Sequence, residues 1–416
     1  MKIYLVGGAI RDSLLKIPIK DKDWVVVGGT KKMLLDKNFQ QVGKDFPVFL
    51  HPDTHEEYAL ARQERKSGKG YTNFSTNYNT NVTLEEDLIR RDLTINAIAK
   101  DKYGNYIDPF NGREDIKYRI LRHVSSAFIE DPLRVLRTAR FAASLAHLGF
   151  QIAEETMKLM CIIVNQKELS YLTSNRIWNE TEKALNTSNP HVYFQVLYNC
   201  QALKYLFPEI HFLYEKKINF HHYLINKIKN KFLIFMGLAK ISALTNDLSI
   251  RFSFLCQFLS FSLYNKNIIK NFYDINSASI VRQFCKRLSV PTDITDLAVI
   301  SAGFFEFLAT IHYQSSHNII MLFLKIDAWR KPERISQLAY LCNFNFYNVF
   351  ISQVFLLQSG DFLKKCFSIV NNISIKLILK KGFTGYKIKE ELLRLRINKL
   401  ESWRTQYLIK KNYIKI

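Results

Sequence analysis

Gly7-Gly8-Ala9-Ile10-Arg11-Asp12, followed by Asp21-Lys22-Asp23-Trp24-Val25-Val26-Val27, is the stretch whose reading decides the N-terminal fold. Tyr4-Leu5-Val6 before it reads as a short buried strand, and the glycine pair as a tight turn. Without a Cβ, Gly7 and Gly8 let a triphosphate approach the backbone, and a helix opening near Ala9 to Leu15 offers its free N–H groups. Arg11 adds a planar cation suited to phosphate oxygens. Trp24 to Val27 read as a second strand. On a strand, residues i and i+2 share a face about 6.5–7 Å apart at Cα, so Asp21 and Asp23 are placed to ligate one or two Mg²⁺ ions. A D-x-D pair on a solvated turn is the alternative, and the pair by itself does not decide. Strand, phosphate turn, helix start and acidic second strand in succession point to phosphoryl transfer.

At 416 residues the chain suggests two to four domains. No run of 18 or more apolar residues lacks a charge: Phe252 to Tyr264 is short and Glu306 interrupts Leu297 to Ile311, so no membrane span is expected. The N-terminus passes straight into strand-like sequence, and no signal peptide is expected. Six cysteines without a C-x-x-C pair argue against zinc and a disulfide scaffold, and fit a reducing cytoplasm. The net charge of +22 points to a polyanionic partner such as nucleic acid. Part of the lysine excess accompanies abundant Asn, Ile and Phe, residues with AT-rich codons, and so reflects genome composition. The charge is interleaved with aromatic and aliphatic residues, which assigns it to folded surfaces.

Up to about residue 120, short β-rich runs (Tyr4–Val6, Trp24–Val27, Tyr58–Ala61, Tyr106–Asp108) alternate with turns and helices. From Asp131 the pattern turns helical, with Leu133, Leu136, Ala139, Ala143 and Leu148 near helical spacing. Pro132 suits a first helical turn, with Asp131 in reach of an N-cap role. Ser67 to Thr83, rich in Gly, Ser, Thr and Asn, reads as a mobile loop. No internal repeat is present.

On residues 7–28 and 41–62, and on Arg90-Arg91-Asp92-Leu93-Thr94-Ile95-Asn96-Ala97, the chain resembles the tRNA nucleotidyltransferases of the class shared with poly(A) polymerases. More narrowly it resembles the bacterial CCA-adding enzymes, closely over residues 1 to about 210. The likeness resumes more loosely at Lys286 to Pro291, at Ile326 to Pro332, and at Gly382-Phe383 with Glu390 to Leu392. The resemblance implies an α/β N-terminal nucleotidyltransferase head, a mixed sheet flanked by helices, followed by a mostly α-helical neck, body and tail. The implied boundaries are 1–130 for the head, 131–210 for the neck with its nucleotide-selecting motif, 211–335 for a body with a degenerate HD-type region, and 336–416 for a basic tail contacting tRNA. It also implies Mg²⁺-dependent addition of CCA to the tRNA 3′ end from CTP and ATP, in the cytoplasm, by a monomer or homodimer. Asp21 and Asp23 are then catalytic metal ligands, and Gly8, Arg11, Arg91, Arg137 and Arg140 contact ATP or CTP. Arg134, Arg137 and Arg140 recur every three residues, so they form one ridge beside an apolar stripe of Leu133, Leu136 and Phe141. A solvated basic face is the alternative to nucleotide contact.

Glu130-Asp131-Pro132-Leu133-Arg134 resembles the family's amino-acid template for choosing C and A. The Watson–Crick edges of cytosine and adenine each offer an amino donor beside a ring-nitrogen acceptor. A carboxylate, which only accepts, beside a guanidinium, which only donates, pairs with those edges and opposes U and G. Three apart, Asp131 and Arg134 are expected on one helix face, where an ordinary i,i+3 salt bridge is the plain alternative. Asp108-Pro109-Phe110-Asn111-Gly112 resembles a family element between head and neck, for which a turn closing a strand suffices. Arg176 and Glu180 resemble the pair that holds the template helix, and Glu57 is a candidate third carboxylate near the metals. Relatives carry a phosphohydrolase site marked by a His-Asp dipeptide. Here the corresponding positions in Ile250 to Phe258 are Gln257 and Phe258, so that activity is expected to be lost. His221, His222, His312 and His317 lack a spaced carboxylate cluster and read as surface or core histidines. The rival readings are a poly(A) polymerase, a partial CC- or A-adding enzyme, and an RNA-binding protein with a decayed active site.

Overall fold

Alternation along Asp23–Val27 (β2) sets the architecture of the N-terminal half. Val25 faces one side of a sheet, in a cluster with Val6, Ala61, Val82, Leu88, Ala97 and Ala99. Val26 faces the other, with Leu34, Phe39, Phe49, Tyr58 and Leu60. Both faces are buried, so the β-branched run at 25–27 belongs in the middle of a sheet covered on each side. In this computed structural model, which describes residues 1–42, 48–66, 74–215, 233–259, 272–343 and 359–410, the chain divides into two compact units, Met1–His211 and Phe212–Ile416.

The first unit opens with β1 (Lys2–Val6), the short helix α1 (Gly8–Leu14) and β2. α2 (Lys31–Leu35), β3 (Gln40–Val42), β4 (Val48–Leu50) and β5 (Glu57–Leu60) follow. Later come β6 (Gln63–Lys66), β7 (Phe74–Asn77), α3 (Leu84–Ile89), β8 (Ala99–Lys100), β9 (Tyr106–Ile107) and α4 (Gly112–Tyr118). Among the described residues, seven strands form one sheet in the order β3-β4-β5-β2-β1-β8-β9. β1 pairs antiparallel to β2, and β2 parallel to β5, so the sheet is mixed as expected. The strands at 40–42, 48–50 and 99–100 carry too few alternating residues to announce themselves in sequence. The expected loop at 67–83 is corrected in part. Phe74–Asn77 pairs antiparallel with Gln63–Lys66 as a separate two-stranded ribbon, while 67–73 lie outside the described residues.

After β10 (Ile120–Leu121) the unit becomes helical: α5 (Leu133–Leu145), the short β11 (Gln151–Ile152), α6 (Glu154–Asn165), α7 (Ser174–Leu185), α8 (Pro190–Asn199) and α9 (Leu203–Leu206), and α10 (Pro208–Glu215) carries the chain from the first unit into the second. α5 is buried on most of its circumference, from Leu133 through Leu145, because α7 and α8 pack against it. A helix enclosed this way has little solvent face. Its arginines must therefore find partners inside.

The second unit is helical among the described residues, with α11 (Leu233–Leu244), α12 (Leu248–Cys256), α13 (Ile275–Leu288), α14 (Thr292–Gly303) and α15 (Phe305–Ala309). It continues through α16 (Ser316–Lys325), α17 (Glu333–Asn343), α18 (Ser359–Asn371), α19 (Ile375–Lys380) and the long α20 (Tyr386–Lys410). Asp247, Asp274 and Ser315 cap α12, α13 and α16 by accepting from backbone N–H groups in the first turn. The core is unusually aromatic, with Phe252 stacked on Phe284 and Phe304 between Phe272, Tyr273 and Phe307. All six cysteines are free thiols. Among the described residues no helix is long and apolar enough to cross a membrane.

Candidate active site

β2 begins at Asp23, and its antiparallel partner there is Val6, the last residue before the glycine turn. Gly7 sits at φ +74°, a conformation that favours glycine, and donates its N–H to Ile98 O at 3.2 Å. A Cβ at this position would lie 3.0 Å from Arg91 Nη1 and 4.0 Å from Asp23 Oδ2. The glycine thus lets the turn, the Arg91 guanidinium and the Asp23 carboxylate converge. Asp21 lies outside the strand, two residues ahead of it, which corrects the expectation of two aspartates on one strand. Lys22 between them turns to Glu56 at 3.0 Å, and Glu56 also accepts from Trp24 Nε1 at 2.8 Å. Asp23 is nevertheless within electrostatic reach of Asp21. Crowding by protein raises the Asp23 carboxyl above the ordinary carboxylate range, Arg91 opposes the rise, and the Asp21 charge adds to it. Glu57 is the direct partner of Asp23 across the parallel β2–β5 pair, so both side chains leave the same face of the sheet.

Arg91 is positioned by α3. A capping box of Thr83 and Glu86 starts this helix, and Asp87 one turn later is completely buried. Asp87 accepts from Arg90 Nε and Nη2 through Oδ1, and from Arg91 Nη2 through Oδ2 at 3.2 Å. Burial alone would raise its carboxyl; the two arginines overcome that and hold it low. Immediately after the helix, buried Asp92 accepts from Leu93 N, from Asn96 Nδ2 at 3.2 Å and from Arg137 Nε at 2.7 Å. Asn96 Oδ1 in turn accepts from Arg11 Nη1 at 2.8 Å. The Asp92 carboxyl, which burial would raise, is pulled far below its ordinary range chiefly by Arg137. The same pairing raises Arg137. A chain of charge-assisted hydrogen bonds therefore runs from Arg11 beside the glycine turn to Arg137 on α5.

α5 starts at Leu133, and Asp131 stands in extended backbone ahead of it, donating no helix face of its own. Its carboxylate accepts from the N–H of Leu133, the first residue of α5, at 3.0 Å, and from Arg176 Nη2 at 3.2 Å. Arg134 is buried and donates to the carbonyls of Ala127 and Arg90. The expected shared helix face is thus replaced by two neighbouring side chains, each anchored elsewhere. Arg140 donates to Glu180 on α7, and Arg137 lies 3.9 Å from the same carboxylate. Arg176 and Glu180 therefore tie α7 to the start and middle of α5, as the resemblance implied.

Sequence reading missed Asp87, and it named Asn96 only within the 90–97 motif and Phe141 only within the apolar stripe, without their partners here. Asp87 had a usable signal, an acid at i with arginines at i+3 and i+4. The contacts of Asn96 and Phe141 had none, because both meet Arg11 on α1, which lies 85 residues before Asn96. Asp108-Pro109-Phe110-Asn111-Gly112 is more than a turn. The Asp108 carboxylate accepts from Gly112 N and Arg113 N at 2.8 Å each, and a Cβ on Gly112 would lie 2.2 Å from Thr94 O. It locks α4 against the 93–96 segment.

In the second unit Gln257 and Phe258 are both buried, Phe258 edge-on to Phe254. His312 packs on Phe362 at 4.3 Å and His317 is exposed, while His221 and His222 lie outside the described residues. Among the described residues there is no group of three or more His, Cys, Asp or Glu side chains that could hold a metal.

Residues 3–122 match the family described as Poly A polymerase head domain, and residues 149–213 match the probable RNA and SrmB binding site of polymerase A. The CCA-adding enzyme of Buchnera aphidicola subsp. Acyrthosiphon pisum (strain Tuc7) is 67% identical over 414 residues, covering 100% of both chains. The chain belongs to the CCA-adding enzymes. As a member of that family it is a nucleotidyltransferase. The fold agrees: a CCA-adding enzyme solved with ATP matches with a TM-score of 0.63 at 21% identity, covering 100% of this chain and 90% of that one. The Thermotoga maritima CCA-adding enzyme complexed with tRNA matches with a TM-score of 0.60 at 22% identity, covering 96% and 87%.

Proposed function

We propose that this CCA-adding enzyme builds and repairs the 3′-terminal CCA of tRNA from CTP and ATP, by attack of the tRNA 3′-hydroxyl on the nucleotide α-phosphate with release of pyrophosphate. The observation that carries the mechanism is the convergence of Gly7, Arg91 and Asp23 at the ends of β1 and β2. The donor set fits a magnesium ion. Asp21 and Asp23 are two acids whose charges oppose one another, and Mg²⁺ is held by one or two carboxylates with its remaining positions left to water and substrate phosphates. Bound there, magnesium would lower the pKa of the attacking hydroxyl and neutralise charge on the leaving pyrophosphate.

The chain's own residues do the positioning. Arg91 and Arg11 flank the turn and offer planar donors to triphosphate oxygens, with Gly7 and Gly8 keeping the turn low enough for approach. Arg137 and Arg140, held on α5 by Asp92 and Glu180, supply further cations for the same nucleotide. Asp131 and Arg134 select C and A through their complementary accepting and donating edges. To do so the base must compete with Arg176 for Asp131 and with the two carbonyls for Arg134. Gln257 and Phe258, buried where relatives hold the His-Asp pair, support loss of the phosphohydrolase activity in this member.

The test uses tRNA ending at the discriminator base, Mg²⁺, and CTP or ATP singly and together. Addition that stops after CCA supports this reading, and a long A tail supports poly(A) polymerase instead. Chelation by EDTA abolishes incorporation and Mg²⁺ restores it; incorporation that survives chelation overturns the metal assignment.

A further inference from the structure

The apolar stripe of α5 contains one residue whose surroundings are not apolar. Phe141 is 8% exposed, and three guanidiniums lie around its ring: Arg140 at 4.1 Å from the centroid, Arg11 at 5.3 Å and Arg137 at 5.9 Å. Two of these arginines share its own helix, while Arg11 arrives from α1 beside the glycine turn. Each is bonded to a carboxylate as well: Arg11 to Asp12, Arg137 to Asp92 and Arg140 to Glu180. Three like charges gathered at one point repel, and their carboxylates are divided: Glu180 meets Arg140 and Arg137, while Asp12 meets Arg11. The negative face of the ring is the one group they have in common. It closes a circuit, since Arg11 reaches Arg137 a second way, through Asn96 and Asp92.

We infer that Phe141 is a positioning residue for nucleotide binding: its ring fixes the spacing of Arg11, Arg137 and Arg140, so that the phosphate-turn arginine and the α5 arginines meet one nucleotide together. This rests on the reading that those arginines hold ATP and CTP. A leucine here would fill most of the volume but present no π face. The aromatic ring is therefore required for its charge distribution, beyond its bulk.

The test replaces Phe141 alone by mono-, di- and trifluorophenylalanine, which keep the ring's shape while draining its negative face, alongside Phe141→Leu. KM for both CTP and ATP is expected to rise stepwise with fluorine number, to about tenfold for the most fluorinated ring and for leucine. The melting temperature across the fluorinated series stays near that of the parent, and kcat changes less than KM. A KM that stays flat across the series overturns the inference, as does a KM rise that merely follows loss of folded protein. Arg11→Gln separates the two levels. If it raises KM while the fluorine series is flat, the ring has no positioning role and the nucleotide reading stands; if neither moves KM, the nucleotide reading fails as well.

Discussion

The most deeply buried charges of the two units are held in different ways. In the first, Asp87, Asp92 and Glu180 are buried and each faces arginine side chains, Asp87 those just after α3 and the other two those on α5. In the second, Arg251 is almost completely buried and donates to the carbonyls of Thr245 and Ser242 and to Asn246 Oδ1, gathering up the end of α11 and the start of α12. A buried acid held by arginines beside the glycine turn keeps a charge pattern ready for a ligand. A buried arginine satisfied by carbonyls closes a corner of the fold. Burial of a charge is thus not itself a sign of a site, and neither is its partner alone: Arg134 in the first unit also rests on carbonyls, and Glu391 in the second is a buried acid held by Arg394.

That contrast is open to breaking. The largest effect is expected from Asp23→Ala, and then Asp21→Ala: nucleotide incorporation falls by a factor of at least about 10³, the scale of removing a key electrostatic contributor, with an unchanged circular-dichroism spectrum. Near-normal incorporation by either would remove these residues from the chemistry. Next, Asp92→Ala leaves Arg137 without its main partner. About 2–3 kcal/mol of stability should be lost in chemical denaturation, less than a fully buried pair because the Arg137 side chain is 37% exposed, and nucleotide KM should rise too. Arg251→Met is the matched control in the second unit. It strands buried carbonyls and costs about 2 kcal/mol, yet leaves nucleotide KM where it was; a shift in KM would erase the distinction between the two units.

Acid provides a milder probe. Asp87 and Asp92 are held below the ordinary carboxylate range in the folded protein, so the stability they contribute is complete above about pH 4, the unfolded value, and is lost as pH falls from there toward their depressed values. Hydrogen exchange at pH 6 and pH 3 should show protection draining from α3 and the 92–97 segment, and Asp92→Asn should flatten that dependence. The smallest signal is a null one. Purified protein with Mn²⁺, Ni²⁺ or Mg²⁺ should release no product from a 2′,3′-cyclic nucleotide above the blank, and measurable turnover would show that burial of Gln257 and Phe258 does not mark a lost site.

The N-terminal fold was legible because its signals are local. The strands at 4–6, 24–27, 58–61 and 106–108, the glycine turn and the helix start after Pro132 each occupy a few consecutive residues, and the structure has all of them. The ribbon of β6 and β7 was not, because its sequence is polar and resembles a loop until a partner strand is present. Among candidate site residues, Asp23 and Arg91 could be named from short motifs and are brought together at Gly7. The companions of Arg11 could not. Asn96 and Phe141 become its neighbours only when the 94–96 segment and α5 both meet α1.

Sequence alone determined which chemical groups this protein possesses: two spaced aspartates, adjacent arginines after an acid, a ridge of arginines three apart, and no His-Asp pair. It also fixed the family, since those groups fall at matching spacings. Tertiary structure decided who holds whom. Asp131 went to Arg176 instead of Arg134, Arg134 went to two carbonyls, and Phe141 became a shared face for three cations. The physical reason is that a buried charge must find its counterpart within about one hydrogen-bond length. Which counterpart is that close depends on how distant elements pack, and residue spacing carries no record of it.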